Sequence, residues 1–186
     1  MLRVIIGLST AATVILIIAA VFFCDRGEIG AIDREGMGHF QAGEYASALG
    51  VWRKGLERFP DSAKLHYRVG TTLAVRGDFP EAEVHLERAV GLAPDDPEVR
   101  RELALCYFQD DRLDDAECEL KRVLAQADWF PEVHFFLGLI YEKRHERELA
   151  LDEYVRELNV NPACTYAWAK IETWEKPPQA AEQGRR

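Results

Sequence analysis

Gly77-Asp78-Phe79-Pro80-Glu81-Ala82 belongs to a set of four matching hexads. The others are Gly43-Glu44-Tyr45-Ala46-Ser47-Ala48, Asp111-Arg112-Leu113-Asp114-Asp115-Ala116 and His145-Glu146-Arg147-Glu148-Leu149-Ala150. Their first residues, at positions 43, 77, 111 and 145, are evenly spaced. A fixed period of this size is the mark of a chain built by stacking one supersecondary unit. The units run 29–62, 63–96, 97–130 and 131–164, with no insertion or deletion between them.

Within unit 2, Leu65, Val69 and Leu73 fall on one helical face, Gly77-Asp78 makes a turn, and Phe79, Ala82, Leu86, Ala89 and Val90 form a second stripe that stops at Pro94. Each unit therefore reads as a helical hairpin. Small residues recur at one place in the first helix (Gly36, Gly70, Ala104, Gly138) and at one place in the second (Ala48, Ala82, Ala116, Ala150), so the two helix backbones can approach closely. Trp52, Leu86, Leu120 and Tyr154 follow one helical turn later and are expected to fill the gap to the neighbouring unit. Pro60, Pro94 and Pro162 end the second helices, because proline cannot continue the hydrogen-bond ladder.

This pattern resembles the tetratricopeptide repeat, whose signature is Trp-x-x-Leu-Gly-x-x-Tyr followed by Ala, an aromatic and Pro. Unit 4 is nearest to it, with Leu137-Gly138, Tyr141, Ala150, Tyr154 and Pro162. The resemblance runs from 29 to 164, about three quarters of the chain. It implies an all-α fold, an α-solenoid of four hairpins, with residues 165–175 (TYAWAKIETWE) as a capping helix in which Trp168 and Ile171 face one way. Unit 1 departs from the signature, with Glu35 in place of Leu and His39 in place of Tyr, and its first helix is expected to fray. Unit 3 carries Asp128 at the place of the closing proline, shortly before Pro131. After Lys176-Pro177-Pro178 the polar tail 176–186 is expected to be disordered.

Ahead of the repeats, the run from Val4 to Phe23 contains no charge. A helix of about 20 apolar residues spans roughly the 30 Å hydrocarbon core of a bilayer. Residues 1–28 are accordingly read as an uncleaved, single-pass signal anchor and its flank, since no small-x-small cleavage site follows. The body is expected outside the cytoplasm, as in a bacterial inner-membrane protein, and Gly7 and Ala11 form a small-xxx-small pair. Cys24, at the membrane edge, is a weak candidate for acylation.

The net charge is −9, and residues 29–175, with 18 basic and 29 acidic side chains, carry −11. Such a body repels phosphate backbones, which argues against nucleic-acid binding. No phosphate loop, nucleophile elbow or paired Cys/His nucleophile is present, so no catalytic residue, cofactor or metal is assigned. His66 and His134 take core positions two units apart, His85 and His145 have no second ligand at helical spacing, and His39 lies in the fraying helix. Asp110, Asp111, Asp114, Asp115, Glu117 and Glu119 read as a solvated turn, since an EF-hand's alternating ligands are missing. Cys106, Cys118 and Cys164 read as small buried apolar residues, with a Cys106–Cys118 bridge as the alternative.

The tetratricopeptide resemblance implies that the first helix of each unit lines a concave, partner-binding side. Carried over by position, the groove comprises Met37 and Phe40 in unit 1, with Asp33 beside them, and Lys64, Tyr67, Thr71 and Ala74 in unit 2. Units 3 and 4 contribute Glu98, Arg101, Leu105 and Phe108, then Glu132, Phe135, Leu139 and Glu142. The wall is largely apolar and aromatic and suits an amphipathic helix or an extended peptide with hydrophobic anchors. Family members that hold chaperone C-termini use Lys and Asn in a carboxylate clamp. The matching places here read Asp33, Met37, Arg68, Glu98 and Glu102, or one unit later Tyr67, Thr71, Glu102, Glu132 and Phe136, and neither set can clamp a carboxylate. The function implied is a membrane-anchored, non-catalytic scaffold for a protein or peptide partner, similar to bacterial repeat proteins serving cytochrome maturation, pilus or secretion assembly. The alternatives are self-association and a cytoplasm-facing receptor or regulator.

Overall fold

The computed structural model describes residues 14–15 and 25–175, and among these there are nine helices and no strand. The segments 1–13, 16–24 and 176–186, which carry most of the anchor reading and all of the tail reading, lie outside the described residues. No helix of the described residues is long and apolar enough to cross a membrane.

Helix α1 covers residues 25–41. It is followed by α2 (Tyr45–Arg58), α3 (Ala63–Arg76), α4 (Phe79–Leu92), α5 (Pro97–Gln109), α6 (Leu113–Gln126), α7 (Val133–Lys143), α8 (Arg147–Val160) and α9 (Thr165–Glu175). The turns follow their chemistry. Gly43 and Gly77 take positive φ of 78° and 83°, and the register places Asp111 and His145 in the same backbone region, at φ 60° and 63°. Ser62 and Asp96 cap α3 and α5 through their side chains.

The expected fraying of α1 is not seen. It is continuously helical to residue 41, and Gly36 packs beneath the Trp52 indole, where a β-carbon would sit 2.3 Å from Nε1. Apolar packing around Gly36 thus outweighs the poor signature at Glu35 and His39. The same contact corrects the placement of the large residues. Leu86 lies over Gly70 and Tyr154 over Gly138, so each large side chain fills the space above the glycine of its own hairpin. Tyr154 additionally meets Trp174 of the cap, with ring centroids 5.8 Å apart.

The cap also differs from expectation. Cys164, Ala167 and Ile171 are buried with Trp174 packed beside them, a stripe at helical spacing, and Trp168 stands outside it at 52% exposure. Cys106 and Cys164 are buried, but Cys118 is exposed, and all three thiols are free.

Besides the continuous apolar core, neighbouring hairpins share ion pairs that run mainly from a carboxylate on the earlier unit to a cation on the later one. Asp33 takes Lys64 and Arg68, each at 2.7 Å; Glu83 takes Arg112 at 2.6 Å; and Glu117, the equivalent of Glu83, takes Arg144. Glu117 also accepts from Tyr141 Oη at 2.8 Å and Lys121 Nζ at 2.5 Å. Glu117 and Glu119 are therefore not parts of a solvated turn: Glu119 is buried against Arg100 at 2.7 Å. Burial alone would raise the Glu117 carboxyl, but the donors from Lys121, Arg144 and Tyr141 outweigh it and hold it down to about 2, from an ordinary 4.5. A depressed folded-state pKa stabilises above the unfolded value and loses that contribution as pH falls through the folded one. Thermal melts should therefore lose up to about 3 kcal/mol from this joint between pH 4.5 and 2. Glu117→Gln should flatten that part of the profile, and an unchanged slope would contradict the assignment.

Candidate protein-binding groove

The first helices of the hairpins, α1, α3, α5 and α7, present their exposed sides together. Phe40, Tyr67, Thr71, Ala74 and Leu105 converge with Val75, Phe79 and Glu102 on a hollow of about 690 Å³. Lys64, Tyr67, Arg68, Glu98 and Val99 border a second hollow of about 340 Å³, and Glu132, Phe135, Phe136 and Tyr166 a third of about 320 Å³. Between them runs an aromatic row. Phe108 meets Phe136 at 6.0 Å between centroids, Phe136 meets Phe135 at 5.7 Å, and Phe135 meets Tyr166 at 6.0 Å. Phe135 also rests on Tyr154, at 5.8 Å, which fixes the row to the core.

The charged members are committed inside the molecule. Asp33 is buried, and Lys64 and Arg68 close over it. Its burial raises its pKa, but the hydrogen bonds from Arg68 and Lys64 outweigh this and leave it below the usual carboxylate range. Arg101 donates to Glu102 at 2.7 Å and Glu132 at 2.9 Å while lying against the Phe130 ring. Burial, reinforced by Glu98 and Glu132 against the opposing Arg101, raises the Glu102 carboxyl. Burial, then Glu102 and Glu98, also raises the Tyr67 hydroxyl.

Leu105 and Phe108 are half-buried, and Lys143 Nζ sits 4.7 Å above the Phe108 ring. Met37 and Leu139 are half-buried against the core and border none of these three hollows. Arg68, Glu102 and Phe136, which the sequence marks only as clamp places unable to hold a carboxylate, also line the wall; they are repeat equivalents, each directly following an assigned groove position. Tyr166, 73% exposed, comes from the cap and has no signal in the repeat pattern.

Models of the tetratricopeptide repeat match residues 34–97 and 73–140, which together cover most of the solenoid. The chain is a tetratricopeptide-repeat protein. No curated protein matches its sequence. Among solved structures it is similar to PilF of Pseudomonas aeruginosa, with 20% identity over 80% of this chain and 68% of that one and a TM-score of 0.74. It is also similar to MamA residues 41 to the end from Desulfovibrio magneticus RS-1, with 21% identity, 72% and 75% coverage and a TM-score of 0.67. The first tetratricopeptide domain of Spaghetti (RPAP3), solved with the HSP90 peptide SRMEEVD, matches at 21% identity, 62% and 91% coverage and a TM-score of 0.60. At these identities the likeness is one of fold.

Proposed function

We propose that this tetratricopeptide protein is a non-catalytic scaffold, anchored in a membrane by residues 4–23, that receives a segment of a partner protein in the groove of α1, α3, α5 and α7. The observation that carries the reading is the row of half-exposed aromatic and aliphatic side chains along that wall, left uncovered while the groove's cations are spent on Asp33, Glu102 and Glu132. A partner is recognised there by hydrophobic anchors, with a flanking Lys or Arg drawn to the surplus of Glu98, Glu102 and Glu132 over Arg101. An acidic C-terminal tail, as in the RPAP3 complex, does not fit, because Asp33, Glu98 and Glu102 stand where a carboxylate clamp needs donors.

The anchor rests on the uncharged stretch itself, of which Val14 and Ile15 are helical with exposed side chains. An extracytoplasmic solenoid close to the inner membrane, assembling an envelope complex, is the role this arrangement serves best. Photo-crosslinking in cells from Phe108 tests it: one dominant foreign protein supports the scaffold, whose compartment then gives the orientation, while adducts to the chain itself would replace it with homotypic assembly. Leu105→Asp should abolish those adducts with helicity retained. Phe108→Asp is the poorer variant, since its ring also supports Phe136.

A further inference from the structure

The hairpin register sets one pair of positions face to face across the two helices of each unit. In the third unit the pair is Arg100 and Glu119, with Nη1 2.7 Å from Oε2; in the fourth it is His134 and Glu153, with Nδ1 2.6 Å from Oε2. In the second unit both partners are imidazoles, and the Nδ1 atoms of His66 and His85 lie 3.0 Å apart. Two protons cannot share that line, so one Nδ1 donates and the other accepts. The far side of His66 decides which. Its Nε2 is 3.0 Å from the Pro60 carbonyl oxygen, which only accepts, so a neutral His66 carries its proton on Nε2 and offers a lone pair at Nδ1. Arg100 makes the equivalent reach, from Nη2 to the Pro94 carbonyl at 2.9 Å.

A ring held by a backbone carbonyl through one nitrogen and offering a lone pair at the other is the arrangement that orients metal-bound histidines. With metal–nitrogen bonds of about 2.05 Å, a separation of 3.0 Å subtends about 95° at the ion, a right-angle bite, whereas a tetrahedral site would need about 3.3 Å. We propose that His66 and His85 form a bidentate Nδ1,Nδ1 site for a divalent transition-metal ion of right-angle coordination, Cu²⁺ or Ni²⁺, with water in the remaining positions. Among the described residues no group of three or more His, Cys, Asp or Glu side chains is disposed to hold a metal, so the shell stays open.

Binding requires two changes: the proton on His85 Nδ1 passes through water to its own Nε2 while His66 keeps its proton on the Pro60 carbonyl, and the two rings, now facing each other with centroids 5.1 Å apart, tilt so that their Nδ1 lone pairs converge on the ion. A neutral pair therefore binds without net proton release. Burial, then the neighbouring His66, lower the pKa of His85, which favours the neutral ring. The other charges acting on His85 are Glu81 on α4 and Arg53 on α2, which are ion-paired at 2.5 Å and so largely cancel. The metal would tie α3 to α4 and, through Pro60, to the turn after α2.

Ni²⁺ is the probe of choice, because Cu²⁺ oxidises thiols and Cys118 is exposed. Calorimetric titration of the full chain in mild detergent with NiCl₂ at neutral pH should show one site, weakened at least about tenfold by His66→Gln or His85→Gln and unchanged by His145→Gln. Long-range ¹H–¹⁵N spectra of the free protein should place the His66 proton on Nε2 and the His85 proton on Nδ1, and substoichiometric Ni²⁺ should broaden those two rings first. The spectra need no variant, so they decide the matter even if a glutamine variant unfolds. Broadening confined to other histidines, or an isotherm indifferent to both substitutions, overturns the site and leaves the groove reading untouched.

Discussion

Trp52→Ala should cost the solenoid about 3–5 kcal/mol, the range for removing a large, fully buried aromatic side chain. Trp52 is inaccessible to solvent, fills the space above Gly36, and lies 6.3 Å from Phe40 between ring centroids. Alanine leaves a cavity that Gly36, having no side chain, cannot fill. Urea unfolding followed by helical circular dichroism gives the magnitude, and hydrogen exchange should show protection falling first in α1 and α2. Trp52→Phe is the informative comparison. The indole Nε1 is buried without a hydrogen-bond partner, so phenylalanine removes an uncompensated N–H while keeping most of the packing and should cost far less. Equal losses in the two variants would show that the ring's volume is not what holds the first hairpin closed.

The second large effect is expected at Glu157. This side chain of α8 is completely buried, at a register position occupied in the earlier units by Gly55, Ala89 and Val123. Its Oε1 accepts from the Glu132 amide at 2.9 Å and its Oε2 from the Phe135 amide at 3.3 Å. Helix α7 has no capping side chain of its own, and Glu132 enters it at φ 68°, so the carboxylate serves as a cap supplied by another helix. Glu157→Leu preserves the bulk but strands both N–H groups, at about 2–4 kcal/mol. Glu157→Gln, which keeps one good acceptor, should fall between the two. Amide exchange at residues 132–136 is the direct readout, and an unchanged rate in the leucine variant would show that water caps α7 instead.

The hexads, the stripes and the small positions are legible because each is a property of one position repeated four times. What escapes is a property of pairs. The period makes 66, 100 and 134 equivalent, and 85, 119 and 153 equivalent, but nothing in a single helix says that these two sets meet. His85 consequently reads as solitary and Glu119 as solvated. Glu157 is hidden for a related reason: it breaks the apolar rule at its position to correct a local fault, the irregular approach to α7 that follows Asp128. Trp168 misleads because its size suggests burial, whereas spacing from Cys164 and Ala167 selects Ile171 and Trp174. In the groove, the repeat positions locate the wall, yet only the folded chain shows that Lys64 and Arg101 are already engaged.

The carboxylate-to-cation joints bear on how the molecule comes apart. A stack of hairpins behaves as a one-dimensional array, in which each unit's own stability and its coupling to the next are separate quantities. Here the apolar stripes, with Gly36, Gly70 and Gly138 under their partners, belong to the units, while Asp33, Glu83 and Glu117 belong to the couplings. Replacing those three acids by their amides weakens the couplings and spares the units, whose own carboxylates Glu119, Glu153 and Glu157 stay in place. Such a variant therefore converts a concerted transition into a graded one, with hairpins melting singly over a broadened range instead of together at a lower temperature.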